Sequence, residues 1–107
     1  MKNPLANLMQ QAQKMQENLQ KVQEELAAAR VQGEAGGGLV RVAMSGARRV
    51  LQVRIDESLV RDDRDMLEDL VAAAVNDAIH KANTLKAEKM AGLTGGFELP
   101  AGLKLPF

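Results

Sequence analysis

The fold is decided by residues 36–56, GGGLVRVAMSGARRVLQVRID, which predict a β-hairpin with one apolar face. In its first half Val40, Val42 and Met44 alternate with polar or small residues. After a central turn, apolar and polar residues alternate again up to Ile55. Because alternate side chains of a strand point to opposite faces, we expect one face of the hairpin to be buried and the other to be polar.

A long amphipathic helix is predicted before the hairpin. Asn3 and Pro4 form a helix-start signal, because Asn can cap free backbone amides and Pro loses nothing at the first helical position. Apolar residues then recur at alternating spacings of 3 and 4, which is the a/d pattern of a coiled coil. This seam comprises Leu5, Leu8, Ala12, Met15, Leu19, Val22, Leu26 and Ala29. Gly33 can end the helix, and a short first strand near residues 31–34 is left open.

A second long helix is predicted after the hairpin. Asp62 and Asp63 stand at its expected start, where acidic side chains suit the helix dipole. The apolar stripe that follows is broad, which predicts packing against both the sheet and another helix. Gly92 is expected to end this helix. The resulting fold class is α+β, with two long helices flanking a small antiparallel sheet in the order α-β-β-β-α.

Length and composition limit the classes of function. The 107 residues fit one domain, which we place at residues 1–92, followed by an extended, partly mobile tail over residues 93–107. The chain has no Cys, Trp or Tyr, so it offers neither a disulfide framework nor aromatic platforms for single-stranded nucleic acid. Without an export signal or an apolar run of membrane-spanning length, the expected location is cytoplasmic.

The sequence predicts no enzyme, metal, cofactor or small-molecule substrate. His80 is the only His, and its neighbours form no metal-ligand spacing with it. The acids of residues 56–69 lack the spacing of a calcium loop. The Gly run at residues 36–38 precedes a strand, whereas a phosphate cradle leads into a helix N-terminus.

Charge distribution is more informative than any single motif. Lys and Arg together balance Asp and Glu at 14 each, so binding to a polyanion would depend on local asymmetry. The hairpin carries four Arg with no acid between residues 35 and 55. From charge placement we predict the following DNA-contacting residues: Lys14, Lys21, Arg48, Arg49, Lys81, Lys86 and Lys89.

Four segments together resemble the bacterial YbaB/EbfC family of small nucleoid-associated proteins. They are NLMQQAQKMQENLQKVQEEL at residues 7–26, the hairpin stretch, DMLEDLVAAAVNDA at 65–78 and KMAGLTGGFELPAGLKLPF at 89–107. The resemblance implies a tweezer-like homodimer that binds double-stranded DNA in the nucleoid without catalytic activity. We expect the dimer to bury the first-helix seam through Leu5, Leu8, Met15, Leu19, Val22 and Leu26.

Two other functions are left open. A helix, a hairpin and a second helix are also the outline of prefoldin-like chaperones, whose helical arms hold unfolded clients. Alternatively, the protein could be a partner-binding adaptor, with the C-terminal tail, which carries Phe97 and Phe107 among Pro and Gly, as its docking peptide. The apolar residues of the tail could equally pack back over the sheet. A holdase predicts apolar side chains exposed at the tip of the helical arms.

Overall fold

A computed structural model of the chain describes residues 4–94 and confirms the predicted α+β order, with one short extra helix after the sheet. The predicted tail lies almost wholly outside the described residues. The elements are α1 (Pro4–Ala28), β1 (Arg30–Ala35), β2 (Val40–Ser45), β3 (Val50–Ile55), α2 (Glu57–Asp62) and α3 (Arg64–Thr94).

The three strands form one antiparallel sheet in the order β1-β2-β3. Val42 lies at its centre, opposite Gly33 in β1 and Val53 in β3. An irregularity between Ala43 and Met44 shifts the register near the turn. The side chains of Val40, Val42 and Met44 are buried on one face, as their alternation predicts.

Helix α3 covers this face above β1 and β2, and it approaches the sheet closely. Ala74, Ala78 and Ala82 are completely buried at intervals of four residues, so a stripe of small side chains faces the strands. A Cβ atom at Gly33 would lie 2.3 Å from the Ala78 backbone nitrogen. Gly33 therefore permits the contact between strand and helix, and the prediction that it ends α1 is wrong because α1 already ends at Ala28.

Acidic residues stabilise the starts of both helices after the sheet. The Asp56 carboxylate accepts hydrogen bonds from the backbone N–H and the hydroxyl of Ser58, and these bonds lower its pKa. The Asp63 carboxylate accepts the Met66 N–H at 3.0 Å, which caps α3 as the sequence predicts. At its other end, α3 continues past Gly92 to Thr94, so the predicted stop at Gly92 is wrong.

Helix α1 packs on the rest of the chain only through its C-terminal part. Val22 and Leu26 are buried against Met90 of α3. The side chains of residues 4–14 are all exposed, and those of Leu5 and Leu8 are each 63% exposed. At 1.5 Å per residue, the 25-residue helix is about 37 Å long, and the exposed residues 4–14 account for about 16 Å of it.

The free edge of β1 is covered by two side chains of α3. Asp77 Oδ2 accepts the Glu34 backbone N–H at 2.9 Å, and Lys81 Nζ donates to the Gln32 carbonyl at 2.9 Å. The two side chains also form an ion pair at 3.2 Å. The hydrogen bond from Glu34 and the contact with Lys81 lower the pKa of Asp77. This arrangement satisfies edge groups that would otherwise be open to another strand.

This arrangement predicts an acid-sensitive contact. Because the folded chain holds the pKa of Asp77 below the ordinary value of about 3.9, its contribution to stability is complete above that value and is lost as pH falls through the lowered pKa. We expect Asp77→Asn to reduce the thermal midpoint at pH 6 more than at pH 2. Thermal unfolding across that pH range measures the difference, with Asp69→Asn, exposed on the same helix, as the control. A pH-independent effect of Asp77→Asn would contradict this role.

Candidate nucleic-acid interface

The turn between β2 and β3 displays two of the predicted DNA-contacting residues, Arg48 and Arg49. The Arg48 N–H donates to the Ser45 carbonyl at 2.9 Å, and the Ser45 N–H donates to the Arg49 carbonyl at 2.8 Å. The Ser45 hydroxyl accepts the Arg49 N–H as well. The turn is therefore closed by backbone bonds, and both Arg side chains are exposed on it.

Arg48 adopts a backbone conformation that is unusual for its residue type. Its φ of +68° lies in the left-handed region, and it is the only residue other than glycine with a positive φ within residues 4–94. This conformation costs a residue with a Cβ about 1 kcal/mol relative to glycine. The hydrogen bonds that close the turn on either side of Arg48 hold this conformation in place.

Lys86 of α3 joins Arg48 at this turn. Both line a depression between the end of α1, the turn and α3, together with Gln23, Leu26 and Met90. Among the described residues, no ion pair joins Arg48, Arg49 or Lys86 to an acid. We call these three residues the turn cluster.

The other four predicted DNA-contacting residues lie in different settings. Lys14 and Lys21 are exposed on α1 and are seven positions apart, which places them on one side of the helix. Lys81 holds the edge of β1, as described above. Lys89 pairs with Glu25 of α1 at 3.0 Å and so joins the two long helices. Lys81 and Lys89 thus have structural contacts that the charge pattern did not reveal.

A second basic surface lies on the face of the sheet that points away from α3. Arg30, Arg41 and Arg54 come from the three different strands and, with Gln32, Ala43 and Gln52, line one depression. We call Arg30, Arg41 and Arg54 the arginine face. These three residues are not in the DNA-contacting set predicted from charge placement. The alternation of the hairpin nevertheless predicts that Arg41 and Arg54 lie on its polar face.

The residues predicted for a dimer interface fall into three groups. Leu5 and Leu8 are exposed, and Met15 and Leu19 are half-buried. Val22 and Leu26 are buried against Met90 and form part of the core of the single chain. A different apolar surface is open on β3, where Val53 is 42% and Ile55 39% exposed.

The exposure of β3 follows from the position of α3. By register, Val53 lies beside Val42 and Ile55 beside Val40, on the face that α3 covers further along the sheet. Their exposure shows that the helix does not reach this strand. Within residues 4–94, β3 also has no strand partner on its outer edge.

Two kinds of site are not found in the part of the chain that the structure describes, a metal cluster and a membrane span. Residues 4–94 contain no group of three or more His, Cys, Asp or Glu side chains arranged to hold a metal ion. None of the helices in this range is both long enough and apolar enough to span a bilayer.

Comparison with known proteins identifies the family. The model of the YbaB/EbfC DNA-binding family matches residues 1–97. The chain belongs to this family. This YbaB/EbfC member is 59% identical over 107 residues to "Nucleoid-associated protein MCA1327" of Methylococcus capsulatus (strain ATCC 33009 / NCIMB 11132 / Bath), and the match covers 100% of both chains. The resemblance drawn from the four sequence segments is thereby confirmed.

A solved structure supports the fold of this YbaB/EbfC member. The crystal structure of the uncharacterized protein HP0035 from Helicobacter pylori matches with a TM-score of 0.77. The match covers 88% of this chain and 100% of that chain at 19% sequence identity. At this identity, the likeness concerns the fold alone.

Proposed function

We propose that the protein is a nucleoid-associated homodimer that binds double-stranded DNA through phosphate contacts, organises the nucleoid and influences gene expression. The observation that carries this proposal is the turn cluster, in which cations from two elements converge without an acidic partner among the described residues. The family and the name of the relative support DNA as the ligand. Exposed Lys14 and Lys21 would add contacts along the projecting part of α1.

Binding should show little sequence preference. Lys and Arg side chains attract phosphates irrespective of the bases, whereas specificity requires contacts with base edges. Arg48 and Arg49 are displayed on a hairpin turn, and Lys86 lies on the side of α3, so no helix presents all three to a groove. The ordinary role of such residues is to hold the DNA backbone and release its counterions.

A salt series tests the proposal. Three cations in each chain make six in a dimer, so the turn cluster alone contributes about −5.4 to the slope of log K against log salt. Fluorescence anisotropy with unrelated duplexes of equal length measures this slope. A slope near zero, or binding to one duplex only, would contradict phosphate-directed binding.

Arg48→Gly separates binding from stability. Glycine tolerates the positive φ, so we expect the free energy of unfolding to stay constant or to rise by about 1 kcal/mol. Loss of one cation from each chain should nevertheless weaken binding and change the slope by about 1.8. The matched control is Arg61→Gln, which removes an exposed Arg that pairs with Glu57 far from the turn. If the Arg48 variant binds DNA as tightly as the wild-type protein, the turn does not contact DNA.

A holdase is a second candidate because α1 exposes apolar side chains near its N-terminal end. Leu5 and Leu8 are each 63% exposed and Met9 is 64% exposed. Such side chains could hold unfolded clients. Protection of a heat-denatured client against aggregation, insensitive to salt and lost in Leu5→Glu/Leu8→Glu, would support this function.

A further inference from the structure

We propose that the arginine face is a second surface for duplex DNA, so that one molecule can hold two duplexes. This inference rests on the proposed DNA-binding function and extends it to the face of the sheet that points away from α3. The face is formed by outward-pointing side chains of all three strands, and Arg30, Arg41 and Arg54 are its cations. Glu34 is the single acid at the outward positions of the strands, which leaves the surface positive.

The pairing of two like charges is the first argument. Arg41 and Arg54 lie directly opposite each other in the register of β2 and β3. Like charges at such positions repel each other and destabilise a sheet. Glu34 lies opposite Arg41 on the β1 side, but among the described side chains neither Arg41 nor Arg54 forms an ion pair with an acid. A bound anion would reduce the repulsion between them, because a guanidinium pairs with a phosphate through two parallel hydrogen bonds.

The dimensions of the face are the second argument. Arg30 is opposite Ser45, four residues along β2 from Arg41, which corresponds to about 14 Å. Arg54 is opposite Arg41, so Arg30 and Arg54 are two strands apart and four residues apart along the strands, which corresponds to about 17 Å. These backbone spacings exceed the major-groove width of about 12 Å by only a few ångströms, which flexible Arg side chains can span, so phosphates on both sides of a groove are within reach.

The geometry of the side chains favours a duplex over a single strand. Arg30 donates a hydrogen bond to Gln52 Oε1 at 3.2 Å, which holds its guanidinium over the sheet. Ala43 lies buried at the centre of the depression and leaves its floor flat. The chain has no Trp or Tyr, and no Phe lies in the strands, so the face cannot stack unpaired bases. A rigid, flat, positive surface without aromatic rings fits the backbone of duplex DNA.

The arginine face and α3 lie on opposite sides of the sheet. Val40 and Val42 point towards α3, and Arg41 between them points away from it. Lys86 belongs to α3, so the sheet separates it from Arg41. Arg30 lies opposite Ser45, next to the turn, whereas Arg41 and Arg54 lie four residues further along the strands, about 14 Å from it. A duplex held at the turn cluster would therefore leave Arg41 and Arg54 free for a second duplex.

A capture assay with the full-length protein tests the inference. A biotinylated 30-base-pair duplex on beads is saturated with protein, washed and exposed to a fluorescent duplex of another sequence. We expect wild-type protein to capture the second duplex. Arg41→Gln/Arg54→Gln should bind the first duplex with an affinity within about threefold of wild type and reduce second capture at least tenfold. Arg61→Gln/Arg64→Gln, which removes two cations elsewhere in the chain, should behave as wild type.

The outcomes of the capture assay distinguish failure of the inference from failure of the proposed function. Undiminished capture by Arg41→Gln/Arg54→Gln, or no second capture by wild-type protein that holds the first duplex, overturns the inference and leaves the proposed function standing. Failure of wild-type protein to bind even the first duplex instead overturns the proposed function. Thermal unfolding excludes misfolding, because relief of the like-charge contact should keep or raise the midpoint of the double variant. If light scattering gives the double variant a different molar mass from the wild-type protein, the arginine face is a contact between copies of the chain, and the inference is overturned.

Discussion

Gly33→Ala is expected to cause a large loss of stability, although it adds a single methyl group. The new Cβ would lie 2.3 Å from the Ala78 nitrogen, 2.4 Å from the Ala74 carbonyl oxygen and 2.7 Å from the Ala78 Cα. All three atoms belong to the backbone of α3, so no side chain can rotate away. The helix must move from the sheet, which separates the buried alanines from Val40, Val42 and Met44.

We estimate the loss at about 3 kcal/mol, the upper end of the range for overpacked cores. For a chain of this size, that corresponds to a fall of roughly 12–24 °C in the thermal midpoint. Thermal unfolding followed by circular dichroism measures it. Gly92→Ala is the control, because a Cβ at Gly92 meets nothing within 4 Å and alanine favours the helix.

A second substitution tests the physical cause. If the clash is with the helix backbone, Gly33→Ala/Ala78→Gly should not recover stability, because glycine retains the same nitrogen and Cα. Recovery in the double variant would show that side-chain crowding is responsible. A midpoint of Gly33→Ala within a few degrees of wild type would contradict the close approach altogether.

Gly33 also illustrates which part of the fold the sequence could predict. The strands β2 and β3 follow from alternating apolar residues, and the start of α3 follows from its acidic cap. In β1, the inward positions are Val31, Gly33 and Ala35, which give almost no apolar alternation. The small residues there are required by the approach of a helix more than forty positions away, and a local pattern contains no information about that approach.

The candidate interface was predictable to a similar extent. The sequence predicts the Arg pair of the β2–β3 turn from two adjacent charges, and it predicts Lys86 from the lysines near the end of the second long helix. Their convergence depends on the packing of α3. The sequence gives no sign that Lys81 and Lys89 have hydrogen-bond partners, because those partners lie 49 and 64 positions away in the chain. Arg41 and Arg54 could have been found, since the alternation that predicted the apolar face also predicts which residues share the other face.

For the proposed homodimer, β3 is the surface that we expect to hold the two chains together. The edge of β1 is closed by Asp77 and Lys81, whereas no described strand or helix closes the edge of β3. An edge strand with an apolar face can pair with a second copy of itself about a two-fold axis. Such pairing would satisfy the free backbone groups and bring Val53 and Ile55 of both copies together on one apolar face.

Val53→Glu/Ile55→Glu is therefore expected to yield a folded monomer. Both side chains are exposed in the single chain and lie outside its buried core, so carboxylates are tolerated there. In a dimer, four carboxylates would be crowded together on one apolar face without cationic partners, which costs several kcal/mol. A loss of about 4 kcal/mol raises the dissociation constant roughly a thousandfold. Sedimentation velocity measures the mass, and circular dichroism checks that the helices remain.

The matched variant Leu5→Glu/Leu8→Glu distinguishes β3 from the seam of α1. These two side chains belong to the predicted coiled coil and are exposed, whereas Val22 and Leu26 in the same seam already pack within the chain. A seam shortened in this way buries little surface between copies, so we expect the α1 variant to remain dimeric. If it becomes monomeric and the β3 variant does not, the chains associate through α1 and β3 has another partner. If both variants stay dimeric, neither apolar surface holds the two chains together.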